Sequence, residues 1–188
     1  LSLVAWAFVL HAHAACPTSK QVWDTLLAIE QSDLQGEEKL SKVLQLEQQY
    51  SKCKLPKDSV YARILHRLGV LSYVKNDMDA AIKYTLQSTR INRTGIKNTS
   101  PRLVVNSYDN LGLYYKNLLF YREALMYFDS SLYFGNHVTG QERFMLQSRL
   151  MRSNIFFRTG DYQKSIDEAT QGLFAARNGK DSFKIAQF

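Results

Sequence analysis

Apolar and small residues recur at helical spacing along most of this chain. From about position 19 to position 177 they fall three and four residues apart, in segments separated by short turns that contain Gly, Asn or Pro. No alternating run rich in Val, Ile or Thr lies between turn residues, so no strand is predicted. The pattern therefore predicts seven or eight helices in one all-α domain.

One helical hairpin occurs three times. It begins as LHRLGVLSYVKNDMDAAIKYTLQST at Leu65, as YDNLGLYYKNLLFYREALMYFDSSL at Tyr108 and as RLMRSNIFFRTGDYQKSIDEATQGL at Arg149. Small residues at helical spacing let two helix backbones approach closely enough for neighbouring side chains to interlock. Because one hairpin cannot bury its apolar face alone, stacked neighbours are expected to complete the core.

These hairpins resemble the tetratricopeptide repeat (TPR), whose signature is W-x2-L-G-x2-Y followed by A, F and A in the second helix. The second copy carries the match best, at Tyr108, Leu111, Gly112, Tyr115, Ala124, Phe128 and Ser131. The first copy has Ser72 in place of the Tyr, and the third has Arg152 in place of the Leu. The resemblance implies a right-handed α-solenoid of stacked antiparallel helical hairpins.

The repeats are longer than the usual unit. Gly69 lies 43 residues before Gly112, and Gly112 lies 41 residues before Ser153, whereas the standard unit has roughly 34 residues. This period of about 42 residues is similar to that of kinesin-light-chain-like arrays and of many bacterial signalling arrays of the same family. We interpret the source as bacterial on that basis.

The chain divides into three regions on this interpretation. Residues 1–14 are predicted to be an N-terminally incomplete signal peptide, and residues 15–58 a degenerate helical hairpin that caps the stack. Residues 59–188 are predicted to hold the repeats and to stop within a further helix, so that the C-terminus is truncated. The three predicted hairpins span residues 60–93, 101–136 and 142–177.

The first residues are typical of a secretory leader. The apolar run LSLVAWAFVL precedes Ala12-His13-Ala14, which fits an A-x-A cleavage site. The run is too short to cross a bilayer as a mature helix, which needs about 20 residues. We therefore expect a periplasmic or secreted protein.

Export gives the two cysteines a meaning. Cys16 and Cys53 bracket the predicted capping hairpin, and a helix out and a helix back would bring them together, so a disulfide is expected. Alternatively, Cys16 is the lipid-modified first residue of a membrane-anchored lipoprotein, since Ala14 and Ala15 suit that pattern. A membrane is an expected partner only in that second case.

The chain has a net positive charge, but its Lys and Arg residues do not form dense clusters. The net charge is +7, and from Arg63 onward 18 basic residues face 10 acidic ones. Nucleic-acid modules combine dense Lys and Arg stripes with a groove-reading element, and neither occurs here. A specific nucleic-acid partner is therefore not expected.

The TPR resemblance implies a concave groove lined by the first helix of each hairpin, which would bind a protein or peptide segment. The residues carried over to that groove come from each of the three copies: His66, Val70, Tyr73, Asp109, Asn110, Leu113, Lys116, Leu150, Asn154 and Phe157. Together they form a mixed apolar and polar surface that suits an extended peptide or a helix.

No catalytic role is predicted for these residues. The sequence has no Gly-rich phosphate loop, no serine elbow and no Cys–His pairing, and neither a metal site nor a cofactor is expected. The leading hypothesis is an exported helical-repeat scaffold for protein–protein interaction, not an enzyme. The alternative is the sensory array of a larger protein whose histidine kinase, DNA-binding or caspase-like domain lies beyond Phe188.

Overall fold

Eight helices make up the part of the chain that the computed structural model describes, which is residues 16–93, 100–138 and 140–178. The predicted signal peptide, residues 1–14, lies outside those residues. The helices follow one another in pairs: α1 (Ser19–Gln31), α2 (Gly36–Lys52), α3 (Ser59–Val74), α4 (Met78–Arg93), α5 (Pro101–Asn117), α6 (Tyr121–Gly135), α7 (Glu142–Arg158) and α8 (Tyr162–Asn178). No strand is present among these residues.

Local sequence signals define where several helices begin. The Asp58 side chain accepts hydrogen bonds from the backbone N–H groups of Val60 and Tyr61 and so caps α3. Ser100 caps α5 in the same way, and Pro101 occupies the first helical position, where its missing N–H costs nothing. These caps place the starts of two successive first helices 42 residues apart.

The turn inside each hairpin uses one left-handed residue at an equivalent place. That residue is Asn76 (φ 62°) between α3 and α4, Leu119 (φ 64°) between α5 and α6, and Gly160 (φ 83°) between α7 and α8. Gly adopts this conformation without strain and Asn tolerates it, whereas Leu does so only under constraint. The same turn therefore closes all three hairpins despite different residues.

Three apolar clusters join the helix pairs into one stack. The first lies between α1, α2 and α3 around Leu26, the second contains Leu111 and Tyr114 of α5, and the third contains Phe128 of α6 and Ile155 of α7. Each helix contacts the next along the chain. The all-α solenoid predicted from the sequence is confirmed, and its helices pack sequentially in neighbouring pairs.

Small residues bring the two helices of a hairpin together. A Cβ built on Gly69 would meet the Ala81 carbonyl oxygen at 3.1 Å and the Thr85 nitrogen at 3.3 Å. In the third hairpin the equivalent residues are two serines: Ser153 and Ser165 each donate a side-chain hydrogen bond to the other's carbonyl oxygen, both at 3.0 Å. The third copy thus replaces a close backbone approach at a glycine by a pair of hydrogen bonds between serines.

Arg152, which stands where the first two hairpins have Leu68 and Leu111, is held by acidic residues of neighbouring helices. Its guanidinium forms ion pairs with Glu168 of α8, at 2.7 Å, and with Asp129 of α6. Glu168 also accepts from Arg149 at 3.0 Å and is only 8% exposed. An ionic cluster therefore links α6, α7 and α8 at a position that other repeats fill with an apolar side chain.

Candidate functional site

The first helix of each hairpin belongs to one layer of the stack. Successive first helices contact each other directly: α1 contacts α3, α3 contacts α5, and α5 contacts α7. In the sequence, one other helix lies between the two members of each of these pairs. We call α1, α3, α5 and α7 the inner helices. All ten predicted groove residues lie on α3, α5 and α7, in equivalent rows separated by the repeat period.

In the row formed by His66, Asp109 and Leu150, the first two residues lie at junctions between inner helices. His66 Nδ1 is 3.0 Å from Ser107 Oγ, which joins α3 to α5. One repeat further, Ser148 Oγ donates to Asp109 Oδ1 at 2.7 Å, which joins α5 to α7. The first two residues of this row are therefore engaged in bonds between helices in the structure. Leu150 is half-buried.

Burial keeps His66 neutral at physiological pH. The pKa of its imidazole is lowered from 6.5 to about 4, first by removal from water and then by the charges of Arg63 and Arg67 on the same helix. A neutral imidazole has one ring N–H and one acceptor nitrogen. With Nδ1 at Ser107, the ring joins two helices without a buried charge.

The row formed by Tyr73, Lys116 and Phe157 runs along the C-terminal ends of the inner helices. The Tyr73 ring stacks on Tyr114 at 4.8 Å, and its hydroxyl oxygen accepts from Asn117 Nδ2 at 2.8 Å. Burial, and then the nearby charge of Arg158, lowers the pKa of the Lys116 ammonium.

Phe157 is the most open member of that row. Its side chain is 63% exposed and makes an edge contact with the Tyr162 ring at 5.7 Å. An aromatic side chain left this open is an available contact surface.

The remaining predicted groove residues differ in their burial and in their contacts. Leu113 packs against the second core cluster, and Asn154 accepts from Arg158 Nε at 3.3 Å. Val70, Asn110 and Leu150 are half-buried, and none of them belongs to a core cluster. With Phe157, these three form the open part of the predicted groove.

Two polar residues that the sequence analysis did not single out lie beside this row. Asn106 Oδ1 on α5 and Arg67 Nε on α3 are buried and make no hydrogen bond with any described residue. Arg67 Nε is 4.0 Å from Glu30 Oε1, which is beyond hydrogen-bonding distance. Asn106 could have been noticed as the one amide among the mostly apolar residues 103–108.

Cys16 and Cys53 form a disulfide in the structure, with their α-carbons 5.6 Å apart. Cys16 lies just before α1, and Cys53 is the C-cap of α2. The bond closes the first hairpin at its open end.

The described residues contain no group of three His, Cys, Asp or Glu side chains that could hold a metal ion. Within the same residues, no helix combines the length and the apolar character needed to cross a membrane.

Comparison with known proteins supports the fold. No protein-family model matches the chain, and no curated protein matches it. The structure is similar to the crystal structure of BtubC (BKLC) from P. vanneervenii, with a TM-score of 0.70 over 86% of this chain and 73% of that one. The two sequences are 12% identical. A likeness at that identity concerns the fold alone.

Proposed function

We propose that this chain is a TPR-like module, exported from a bacterial cell, that binds a segment of another protein along its inner helices without catalysing a reaction. The long-period TPR resemblance of the sequence supports the binding role, and the helical-repeat fold of BtubC (BKLC) supports the repeat architecture alone. The apolar leader that precedes Cys16 supports export, and the disulfide is compatible with an oxidising compartment.

Two buried polar atoms without a hydrogen-bond partner among the described residues, Arg67 Nε and Asn106 Oδ1, carry the proposal; Arg67 Nε has only the longer ionic contact with Glu30, at 4.0 Å. Buried polar atoms are nearly always hydrogen-bonded, so each exception requires an explanation. Arg67 Nε is a donor and Asn106 Oδ1 is an acceptor. A peptide group offers the matching acceptor and donor in one unit. Both side chains are half-buried rather than enclosed, so a change of rotamer would present these atoms to a bound segment.

The apolar residues of the open row supply the second element of the site. Val70, Leu150 and Phe157 would cover apolar side chains of the segment. Its backbone would be bound by Asn110, Arg67 and Asn106. Interfaces of this kind gain affinity from apolar anchors and gain orientation from a few placed polar groups.

Selection of peptides from a random displayed library on the immobilised protein would provide a probe of the site. Asn106→Ala should weaken binding of the selected peptides several-fold in fluorescence anisotropy, because one placed hydrogen bond is worth about 0.5–1.5 kcal/mol. The same change should leave the melting temperature unchanged or raise it, because it removes a buried acceptor that has no partner. A purely structural role for Asn106 predicts the opposite pair of results.

Asn136→Ala is the matched control, since Asn136 is an exposed amide beyond α6. It should leave both binding and melting temperature unchanged. Peptides that bind wild type, the Asn106 variant and a Val70, Leu150 and Phe157 triple alanine variant equally well would refute the proposed site.

A further inference from the structure

A second cleft runs along α4 and shares no residue with the predicted groove. Six residues of α4 form one wall, at the helical spacing i, i+3, i+4, i+7, i+8 and i+11 from Asp79 to Arg90. The opposite wall consists of Tyr115 at the end of α5 and of Leu118 and Phe120 in the turn that follows. The space between them is about 580 Å³. Residues along three turns of α4 therefore line an open cleft.

Exposed apolar side chains line part of this cleft, which we call the α4 cleft. Leu86 and Leu118 are each 36% exposed, and Phe120 is 55% exposed. Tyr115 is held in place by a stacked contact with Tyr127 at 5.3 Å. Exposed apolar side chains that converge on one concave surface are typical of an interaction site rather than of a solvated surface.

Two cations stand on the rim of the α4 cleft without an ionic partner. Lys83 and Arg90 are exposed, and neither forms an ion pair with any described residue. Asp79, which lies one turn before Lys83, does not pair with it either. Lys83 and Arg90 are seven residues apart, so they lie on the same side of α4, about 10 Å from each other along its axis.

We propose that the α4 cleft binds an acidic amphipathic helix of a partner protein. The apolar side chains at positions i+3 and i+4 of the partner helix would pack against Leu86, Leu118 and Phe120. Carboxylates at i and i+7 would lie two helical turns apart, which matches the separation of Lys83 and Arg90. This surface shares no residue with the groove proposed on the inner helices, so the proposal stands apart from the function proposed above.

The geometry favours a helix over a membrane or a nucleic acid. Both of those partners offer dense negative charge on a broad surface and are bound by clusters of many Lys and Arg residues. The α4 cleft has two separated cations, exposed apolar side chains and the carboxylate of Asp79 at one end. A ligand with two discrete carboxylates and an apolar face fits that arrangement.

Fluorescence anisotropy with a labelled model helix would test the assignment. The probe is an amphipathic peptide with glutamates seven residues apart and leucines three and four residues after the first glutamate. Its control carries lysines in place of the glutamates. The acidic peptide should bind and the basic peptide should not. The double variant Lys83→Glu/Arg90→Glu should weaken binding of the acidic peptide by about tenfold or more, because two attractive contacts become repulsive.

Lys42→Glu is the matched control, since Lys42 is an exposed lysine on α2 that forms no ion pair with a described residue. It changes the net charge but not the cleft, and binding should be unchanged. Leu86→Ala should weaken binding while circular dichroism stays helical. The proposal is overturned if both peptides bind alike, if Lys42→Glu weakens binding as much as the double variant does, or if anionic lipid vesicles bind and the acidic peptide does not.

Discussion

Gly112→Ala tests the idea that backbone approach inside a hairpin determines the stability of the stack. Gly112 lies on α5, opposite the Phe128 ring of α6. A Cβ built on Gly112 would be 2.6 Å from both Cδ1 and Cε1 of that ring and 2.9 Å from its Cγ. Phe128 has no exposed surface, so its ring has no open space to move into.

Two opposing effects determine the size of the change. Overpacking a well-filled core costs about 1–3 kcal/mol. Ala is a better helix former than Gly by about 1 kcal/mol, which offsets part of that cost. Because three atoms of a rigid, enclosed ring must shift, we place the steric cost at its upper end and the net destabilisation at about 2 kcal/mol. For a chain of this length that corresponds to a fall in melting temperature of about 4–8 °C.

Thermal denaturation followed by circular dichroism measures this directly. The matched variants are Phe128→Leu alone and the Gly112→Ala/Phe128→Leu double variant. Leu occupies less of the space that the new methyl group needs, so the double variant should be more stable than the sum of the two single effects predicts. An unchanged or higher melting temperature for Gly112→Ala, or strict additivity in the cycle, would refute the packing argument.

Three further predictions concern other contacts. His66 titrates with a folded pKa of about 4 against 6.5 unfolded, so the unfolded state binds the extra proton first. Stability should therefore be complete above about pH 6.5 and fall by up to about 3 kcal/mol as the pH drops towards 4. In urea denaturation, the free energy of unfolding should fall less between pH 7 and pH 5 for His66→Gln than for wild type. Thiol counting on denatured, oxidised protein should find no free thiol, and reduction of the Cys16–Cys53 bond should cost about 3–4 kcal/mol in urea denaturation; two free thiols or a lipid adduct on Cys16 by mass spectrometry would contradict this. Arg152→Leu should cost about 1.5–3 kcal/mol in thermal melts, because it removes one of the two guanidinium partners of the buried Glu168 carboxylate and leaves Arg149 as the other. The Arg149→Leu/Arg152→Leu double variant should lose about 3–5 kcal/mol, because it leaves that carboxylate without an ion pair.

The repeated hairpin could be predicted from the sequence because its determinants are local. Small residues at helical spacing, the Asp58 and Ser100 caps and the turn residues define each helix pair without reference to the rest of the chain. The helices of the three repeats lie within one residue of the predicted hairpin limits. Leu119 shows the limit of such signals, since no turn propensity predicts a left-handed Leu.

The surroundings of the candidate groove residues could not be predicted in the same way. Whether His66 or Asp109 faces open space or the next inner helix depends on how each pair is rotated relative to the next. That rotation is absent from the local pattern. Arg152 is a similar case, because its partners come from α6 and α8. The periodicity identifies it only as a polar residue at an apolar position.

The hydrogen bonds between inner helices give the proposed binding surface a defined spacing. Apolar contact between two helices is non-directional and tolerates sliding, whereas the bonds of Ser107 to His66 and of Ser148 to Asp109 require one distance and one register. Asn106 and Arg67, whose Oδ1 and Nε make no hydrogen bond with a described residue, are the sequence neighbours of Ser107 and His66. The bond that joins α3 to α5 therefore also constrains where these two groups lie relative to each other. Binding of a segment there would therefore depend on the hydrogen bond between His66 and Ser107, although the segment itself does not contact that bond.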